Sequence, residues 1–177
     1  MEKTPVIVCK PYHSPCGELL LGSFEDKLCL CNWQTKKRRD QVDQRLQRLL
    51  SARYKEGTSD VIEQTTAQLD EYFARRRREF DIPLLFAGTP FQKAVWQALL
   101  TVPYGTTLSY AALAKQLGTP KAVRAVANAN GANAISIFVP CHRIIGSDRS
   151  LTGYGGGLPA KTRLLELESG VQYLETV

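Results

Sequence analysis

No apolar run in this chain approaches the roughly eighteen residues that a membrane-spanning helix requires, so no membrane association is expected. The stretch after Met1-Glu2-Lys3-Thr4-Pro5 is also too short for the hydrophobic core of a secretion signal, and a cytoplasmic location is the expectation. Cysteines and histidines are few: five Cys (Cys9, Cys16, Cys29, Cys31, Cys141), an odd number with no CxxC pair, and two His. That argues against a disulfide framework and leaves a poor ligand set for a metal. Cys9, His13 and Cys16 lie close in sequence, but their spacing matches no recognised zinc pattern, and no metal or cofactor is expected. Cys29 and Cys31 alternate along a predicted strand and read as small core residues on one face. Internal repeats and low-complexity segments are absent.

What is present is a globular composition, 44% hydrophobic and 23% charged, with a net charge of +6. A basic balance of this size makes a polyanion the natural partner. Two runs, Lys36-Lys37-Arg38-Arg39 and Arg75-Arg76-Arg77-Arg78, concentrate the charge in the N-terminal half. Both read as solvated surface, the second at the exposed end of a helix. They would raise the local concentration of DNA without reading its sequence.

At 177 residues the chain suits one large domain or two small ones, and its texture changes near residue 87. Residues 1–86 read as a small α/β domain, an antiparallel sheet plus helices. Val6–Cys9, Gly17–Phe24 and Leu28–Trp33 are its predicted strands, the last two joined at Glu25-Asp26-Lys27. A helix is expected through Val42, Leu46, Leu49 and Leu50, and an amphipathic one over 61–78 on Ile62, Leu69, Tyr72 and Phe73. Residues 87–177 read as a mostly α domain. Thr89-Pro90 caps a helix whose apolar face is Phe91, Val95, Ala98, Leu99 and Val102.

Ser109 opens a helix over 110–117, Gly118-Thr119-Pro120 makes a turn, and a second helix runs from Lys121 to about Ala129. Two short helices around a glycine turn are the pattern of a helix-turn-helix. The second helix carries one long side chain in its middle, Arg124, among alanines that include Ala122 and Ala125. A major-groove reader needs several long polar side chains. An alanine-rich helix around one arginine can instead press into a minor groove and insert that arginine, or simply pack against a neighbour.

The densest chemical signal is Pro140-Cys141-His142-Arg143, following the apolar run Ile135–Val139 that is expected to be a strand. Thiolate is the nucleophilic form of cysteine, and an adjacent base is a means of generating it near neutral pH. On the C-terminal helix beginning at Pro159, Leu164, Leu165 and Leu167 define the buried direction, and Glu168 follows Leu164 by one turn on that face. A carboxylate there is costly unless paired, so a histidine partner is expected, while Glu166 is expected to point outward.

With these motifs the sequence closely resembles the O6-alkylguanine-DNA alkyltransferases. The match runs from Phe91–Trp96 through Thr107–Tyr110, Pro120–Val126, Ile137–Arg143 and Gly153–Leu158 to Lys161–Glu168, with Gly17–Gly22 the clearest N-terminal counterpart. The resemblance implies a ribonuclease-H-like N-terminal domain. It implies direct-reversal DNA repair, with one irreversible transfer of an alkyl group from O6-alkylguanine, and O4-alkylthymine as a further candidate, to the protein's own Cys141. It implies His142 as the residue that takes the thiol proton through a water, Glu168 as its orienter, Asn133 as a brace of the active-site turn, and Tyr110 as a hydrogen-bond donor to the guanine. Arg124 would fill the gap left by the extruded nucleotide, with Lys121, Ala122, Ala125 and Arg143 also on DNA. Val139, Tyr154, Gly155 and Gly156 would line the pocket. The implied partner is double-stranded DNA carrying the lesion, held through its minor groove by a monomer without cofactor. Rival readings are a non-catalytic lesion-binding protein on the same fold, a helix-turn-helix regulator sensing redox state at Cys141, and a cysteine hydrolase. The first lacks the acceptor cysteine, the second needs a polar recognition helix, and the third needs an oxyanion hole and a peptide cleft.

Overall fold

The computed structural model describes residues 4–35, 39–148 and 154–170. Lys36, Lys37 and Arg38 of the first basic run, and Gly153 of the glycine-rich motif, lie outside them.

The N-terminal half is a four-stranded sheet in the order β3-β2-β1-β4, formed by β1 (Val6–Ser14), β2 (Gly17–Phe24), β3 (Lys27–Trp33) and β4 (Arg53–Glu56). β1, β2 and β3 are antiparallel neighbours, whereas β4 pairs parallel with β1. The sheet is therefore mostly antiparallel, with one parallel edge that the strand pattern did not reveal. β4 is too short and too polar to announce itself, since it owes its place to pairing with β1. The β2–β3 turn is made by Glu25 and Asp26, both at positive φ (48° and 64°), the handedness that two-residue hairpins favour. Helices α1 (Arg39–Leu49) and α2 (Asp60–Phe73) accompany the sheet. Ser59 caps α2 by accepting from Ile62 N at 3.2 Å.

α2 stops at Phe73, short of the expected end, and Arg75 takes a left-handed φ of 61°. The four arginines thus follow the helix in a turn. No apolar residue recurs among them to hold further helical turns against the sheet, and Arg77 instead pairs with Glu71 at 3.6 Å.

β3 is buried on both faces, and its outer edge is closed by chain from later in the sequence. Leu28 N donates to Pro83 O at 2.8 Å, Cys31 N to Ala134 O at 2.8 Å, and Ser136 N to Cys31 O at 2.8 Å. An otherwise exposed edge strand becomes the seam on which the C-terminal half docks. One continuous apolar core runs through both halves, including Leu21, Cys29, Cys31, Leu69, Val95, Leu113, Val126 and Leu164. Each fully buried Leu or Ile in it stabilises the fold by roughly 1.5–3 kcal/mol.

The C-terminal half contains α3 (Pro90–Leu99), α4 (Tyr110–Gln116), α5 (Val123–Gly131) and α6 (Leu158–Ser169). Thr89 and Gln92 form a reciprocal capping box at the start of α3. Its buried face is Val95, Trp96 and Leu99, with Phe91 37% exposed, so the expected stripe is rotated towards the tryptophan. Trp96 Nε1 donates to Ala129 O at 2.9 Å, which ties α3 to α5 and accounts for the rotation. α4 and α5 pack together across the turn at Gly118, whose φ of +75° is one that side chains avoid. Leu108–Ser109 (β5) pairs in parallel with Ile144–Ile145 (β6), so the start of α4 lies beside the chain leaving Cys141.

Candidate active site

The expected strand over Ile135–Val139 is instead a tight turn. Only isolated bridges survive, Cys31 to Ile135 and Ser136 to Val139. Ile137 takes a φ of 75°, a costly conformation for a β-branched residue. Burial of its side chain at 1% exposure holds it there. Pro140 then precedes a single 3₁₀ turn, Cys141–Arg143, placing the cysteine, the histidine and the arginine in three successive buried positions.

Asn133 stitches this turn together. Its Oδ1 accepts from Ile135 N at 2.9 Å, and its Nδ2 donates to Val139 O at 2.9 Å and to Cys141 Sγ at 3.2 Å. The bond to sulfur was not foreseen from the sequence. Val139 is fully buried and its carbonyl is also shared with Cys141 N at 2.7 Å. Its carbonyl thereby braces the turn that carries Cys141.

His142 and Glu168 meet in the interior, Nε2 to Oε2 at 2.7 Å. Burial pulls the imidazole below its ordinary pKa against the opposing pull of Glu168, so the ring is neutral. Burial resists the charge on Glu168, but His142 and the Arg143 guanidinium outweigh it and hold the carboxyl below its usual range. An ionised carboxylate that accepts from Nε2–H leaves Nδ1 as the acceptor nitrogen. Nδ1 is buried and has no hydrogen-bond partner among the described residues.

Two further donors converge on Glu168. Arg143 contributes Nε to Oε1 at 2.8 Å and Nη2 to Oε2 at 3.0 Å, with Nη1 on Val102 O at 2.7 Å. Tyr72, from α2 in the other half of the molecule, donates its hydroxyl to Oε2 at 2.6 Å. Arg143, 6% exposed and saturated by these partners, does not reach DNA, and that expectation is corrected. A basic residue beside Cys-His looked like a surface contact because the carboxylate that buries it is 25 residues away.

Tyr110 is the first residue of α4, capped by Ser109, and it is half-buried. Lys161 Nζ lies 6.0 Å from its ring centroid and donates to Ile144 O at 2.6 Å. Lys161 is completely buried, and that burial brings its pKa down to about 8, opposed by the proximity of Cys141. Sequence reading missed it, although it stands seven residues before Glu168 on one helical stripe. Tyr154, Gly155 and Gly156 are half-exposed beside Trp33 of β3, and burial together with Cys141 keeps the Tyr154 phenol protonated. α5 begins at Val123, two residues later than expected; Arg124 and Ala125 are exposed on it, Lys121 is exposed in the turn before it, and its N-cap Ala122 is half-exposed, all apart from the buried cluster. His13 is exposed and pairs with Glu18, while the Cys9 thiol turns inward to Ile7 O at 3.5 Å. Among the described residues, no group of three potential ligands is arranged for a metal ion.

Two family models cover this architecture. Residues 7–86 match the 6-O-methylguanine DNA methyltransferase ribonuclease-like domain, and residues 90–170 match the DNA binding domain of the same family. The chain belongs to the 6-O-methylguanine DNA methyltransferase family. A methylated-DNA–protein-cysteine methyltransferase of Mycobacterium leprae is 45% identical over 163 residues, 92% of this chain and 93% of that protein. The Mycobacterium bovis protein of the same name is 58% identical over 101 residues, which span 57% of this chain and 61% of that protein. Among solved methyltransferases, Mycobacterium tuberculosis OGT in complex with DNA superposes with a TM-score of 0.78 at 41% identity, over 93% of each chain.

Proposed function

We propose that this methyltransferase repairs DNA by direct reversal, moving the alkyl group of O6-alkylguanine irreversibly onto its own Cys141. The observation that carries the reading is the Cys141 thiol, 5% exposed, with an asparagine N–H on its sulfur and a neutral, carboxylate-oriented histidine as its next residue. Nucleophile, base and orienter are thereby present within one buried cluster.

In the proposed reaction His142 Nδ1 takes the Cys141 proton through one water, while Glu168 remains a carboxylate. The thiolate attacks the alkyl carbon in line. The S–C bond forms as the C–O6 bond breaks, and the electron pair passes to the purine, which leaves as guanine after taking up one proton. Hydrogen bonds to the departing purine from Tyr110 and from the Gly155 N–H would stabilise that charge. A thioether has no bond that water readily cleaves, so each protein turns over once.

The target base must leave the duplex to reach a buried sulfur. The exposed side of α5 supports a minor-groove mode in which Arg124 occupies the vacated stack, flanked by Lys121, Ala122 and Ala125. Duplex DNA carrying O6-alkylguanine is the proposed partner, O4-alkylthymine a further substrate, and a cytoplasmic monomer without cofactor the proposed form. Residues 1–86 and 87–177 are proposed as the two domains.

Incubation with a duplex containing one O6-methylguanine, followed by intact mass, tests the reading. The expected result is a gain of one CH2 at Cys141 and none in Cys141→Ser, which still binds the lesion. An unchanged wild-type mass would overturn the assignment and favour a lesion-binding role.

A further inference from the structure

Trp33 belongs to β3 of the N-terminal sheet, yet its side chain ends at the proposed alkylguanine pocket. Its Nε1–H donates to Tyr154 Oη at 3.0 Å, and the two rings meet edge to face with centroids 6.0 Å apart. The Tyr154 hydroxyl is thus engaged from the sheet, and the orientation of its ring is set by a partner outside its own loop.

Two residues further on, the same indole meets the loop again. A Cβ placed on Gly156 would come within 2.7–2.8 Å of Trp33 Cδ2, Cε2 and Cγ, closer than carbon atoms approach. Glycine is therefore what allows the backbone at 156 to lie on the indole face. Trp33 touches the loop on both sides of Gly155, whose N–H is the proposed donor to O6.

The tryptophan is itself held firmly. It is 1% exposed, its β3 residue pairs with Leu19 of β2, and a Cβ on Gly17 would already stand 3.4 Å from its ring. A buried indole N–H needs an acceptor, and the one it uses here lies on the pocket loop rather than within the sheet. Filling the core does not by itself account for that choice.

We infer that Trp33 is a positioning residue for alkyl transfer: the N-terminal domain, through this side chain, fixes Tyr154 and the Gly155 amide and so sets which alkyl groups the pocket accepts. The inference rests on the proposed pocket. It gives the N-terminal domain a part in specificity as well as in stability.

Single-turnover transfer from duplexes carrying O6-methylguanine or O6-benzylguanine, in Trp33→Phe, Tyr154→Phe and the double variant, tests it alongside thermal melting. Trp33→Phe keeps an aromatic ring but loses the donor, and is expected to slow transfer by up to about tenfold, the size of one net hydrogen bond. The two substrates should be affected unequally, because the larger alkyl group leans more on the wall. The double variant should be no slower than Tyr154→Phe alone, since Trp33 acts through that hydroxyl. Gly156→Ala, which lifts the loop from the indole while Trp33 stays intact, should shift the benzyl-to-methyl ratio in the same direction and serves if Trp33→Phe melts too low to assay. Equal losses on both substrates, or losses that multiply in the double variant, would reduce Trp33 to a structural residue and overturn the inference. A wild type that transfers no alkyl group would instead overturn the functional reading beneath it.

Discussion

Glu168 shows how much one buried charge can carry when every oxygen is answered. Tyr72, His142 and Arg143 all donate to it, so Glu168→Ala strands a guanidinium and an imidazole together. Removing one partner of such a cluster costs about 3–5 kcal/mol, and a comparable loss in denaturant-unfolding free energy is expected together with slowed transfer. The cluster also predicts acid sensitivity. The Glu168 carboxyl sits below its ordinary value of 4.5, so its contribution is full above that pH and fades as acid titrates it. The His142 ring sits below its ordinary 6.5, so the unfolded chain binds a proton there that the folded one refuses. Stability should therefore begin to fall as pH drops below 6.5 and fall further below 4.5, and Glu168→Gln should lack the second phase. Acid titration of the thermal midpoint measures both. Asn133 offers a separate test at the sulfur. If its N–H strengthens as the thiolate forms, Asn133→Ala should slow thiol alkylation roughly 10–100-fold, the worth of about 1.5–3 kcal/mol for a bond to a charged acceptor. An unchanged alkylation rate would confine Asn133 to bracing the turn.

At the scale of elements, α5 and the active-site turn respond to different forces. α5 was legible because its pattern is local: small residues around one arginine, opened by a glycine turn. Under the proposed wedge role, Arg124→Ala should impair repair of a paired lesion most, since a wedge would offset unstacking worth a few kcal/mol per step. The defect should shrink for a lesion in a single strand, where extrusion costs less. Equal losses on both substrates would make Arg124 an ordinary phosphate contact. The turn at 135–139 reads as a strand in the sequence because four apolar residues around Ser136, three of them β-branched, make too short a run for periodicity to separate a strand from a buried turn. What bends it is Asn133 and the seam with β3, neither adjacent to Ile137 in sequence. Ile137→Gly would relieve about 1–3 kcal/mol of backbone strain but remove a buried side chain worth about 2–5 kcal/mol. A net loss of stability in chemical denaturation is the expected sign.

Across the whole molecule, the two halves share a core, a backbone seam and a charged cluster. Arg45 of α1 adds hydrogen bonds to Ala87 O at 3.0 Å and Ala132 O at 2.7 Å, with its guanidinium over Trp96. A single cooperative calorimetric transition is therefore expected. Residues 87–177 alone, lacking Tyr72 and the β3 edge, should melt well below the full chain. Two resolved transitions in the full chain would contradict that coupling.

The sequence by itself determined the helix-turn-helix, the Cys-His pair and the carboxylate one helical turn from Leu164, because each depends on spacing within a few residues. It also carried the globular class and the basic surface, which composition alone sets. Tertiary structure decided the rest. The burial of Arg143 and Lys161, the hydroxyl of Tyr72 on Glu168 and the reach of Trp33 to Tyr154 all join residues far apart in the chain. Sequence patterns report which side of an element is apolar, but a polar group turned inward is stabilised only by the partner that folding brings to it. Arg143 looked like a DNA contact for that reason, and Lys161 drew no notice.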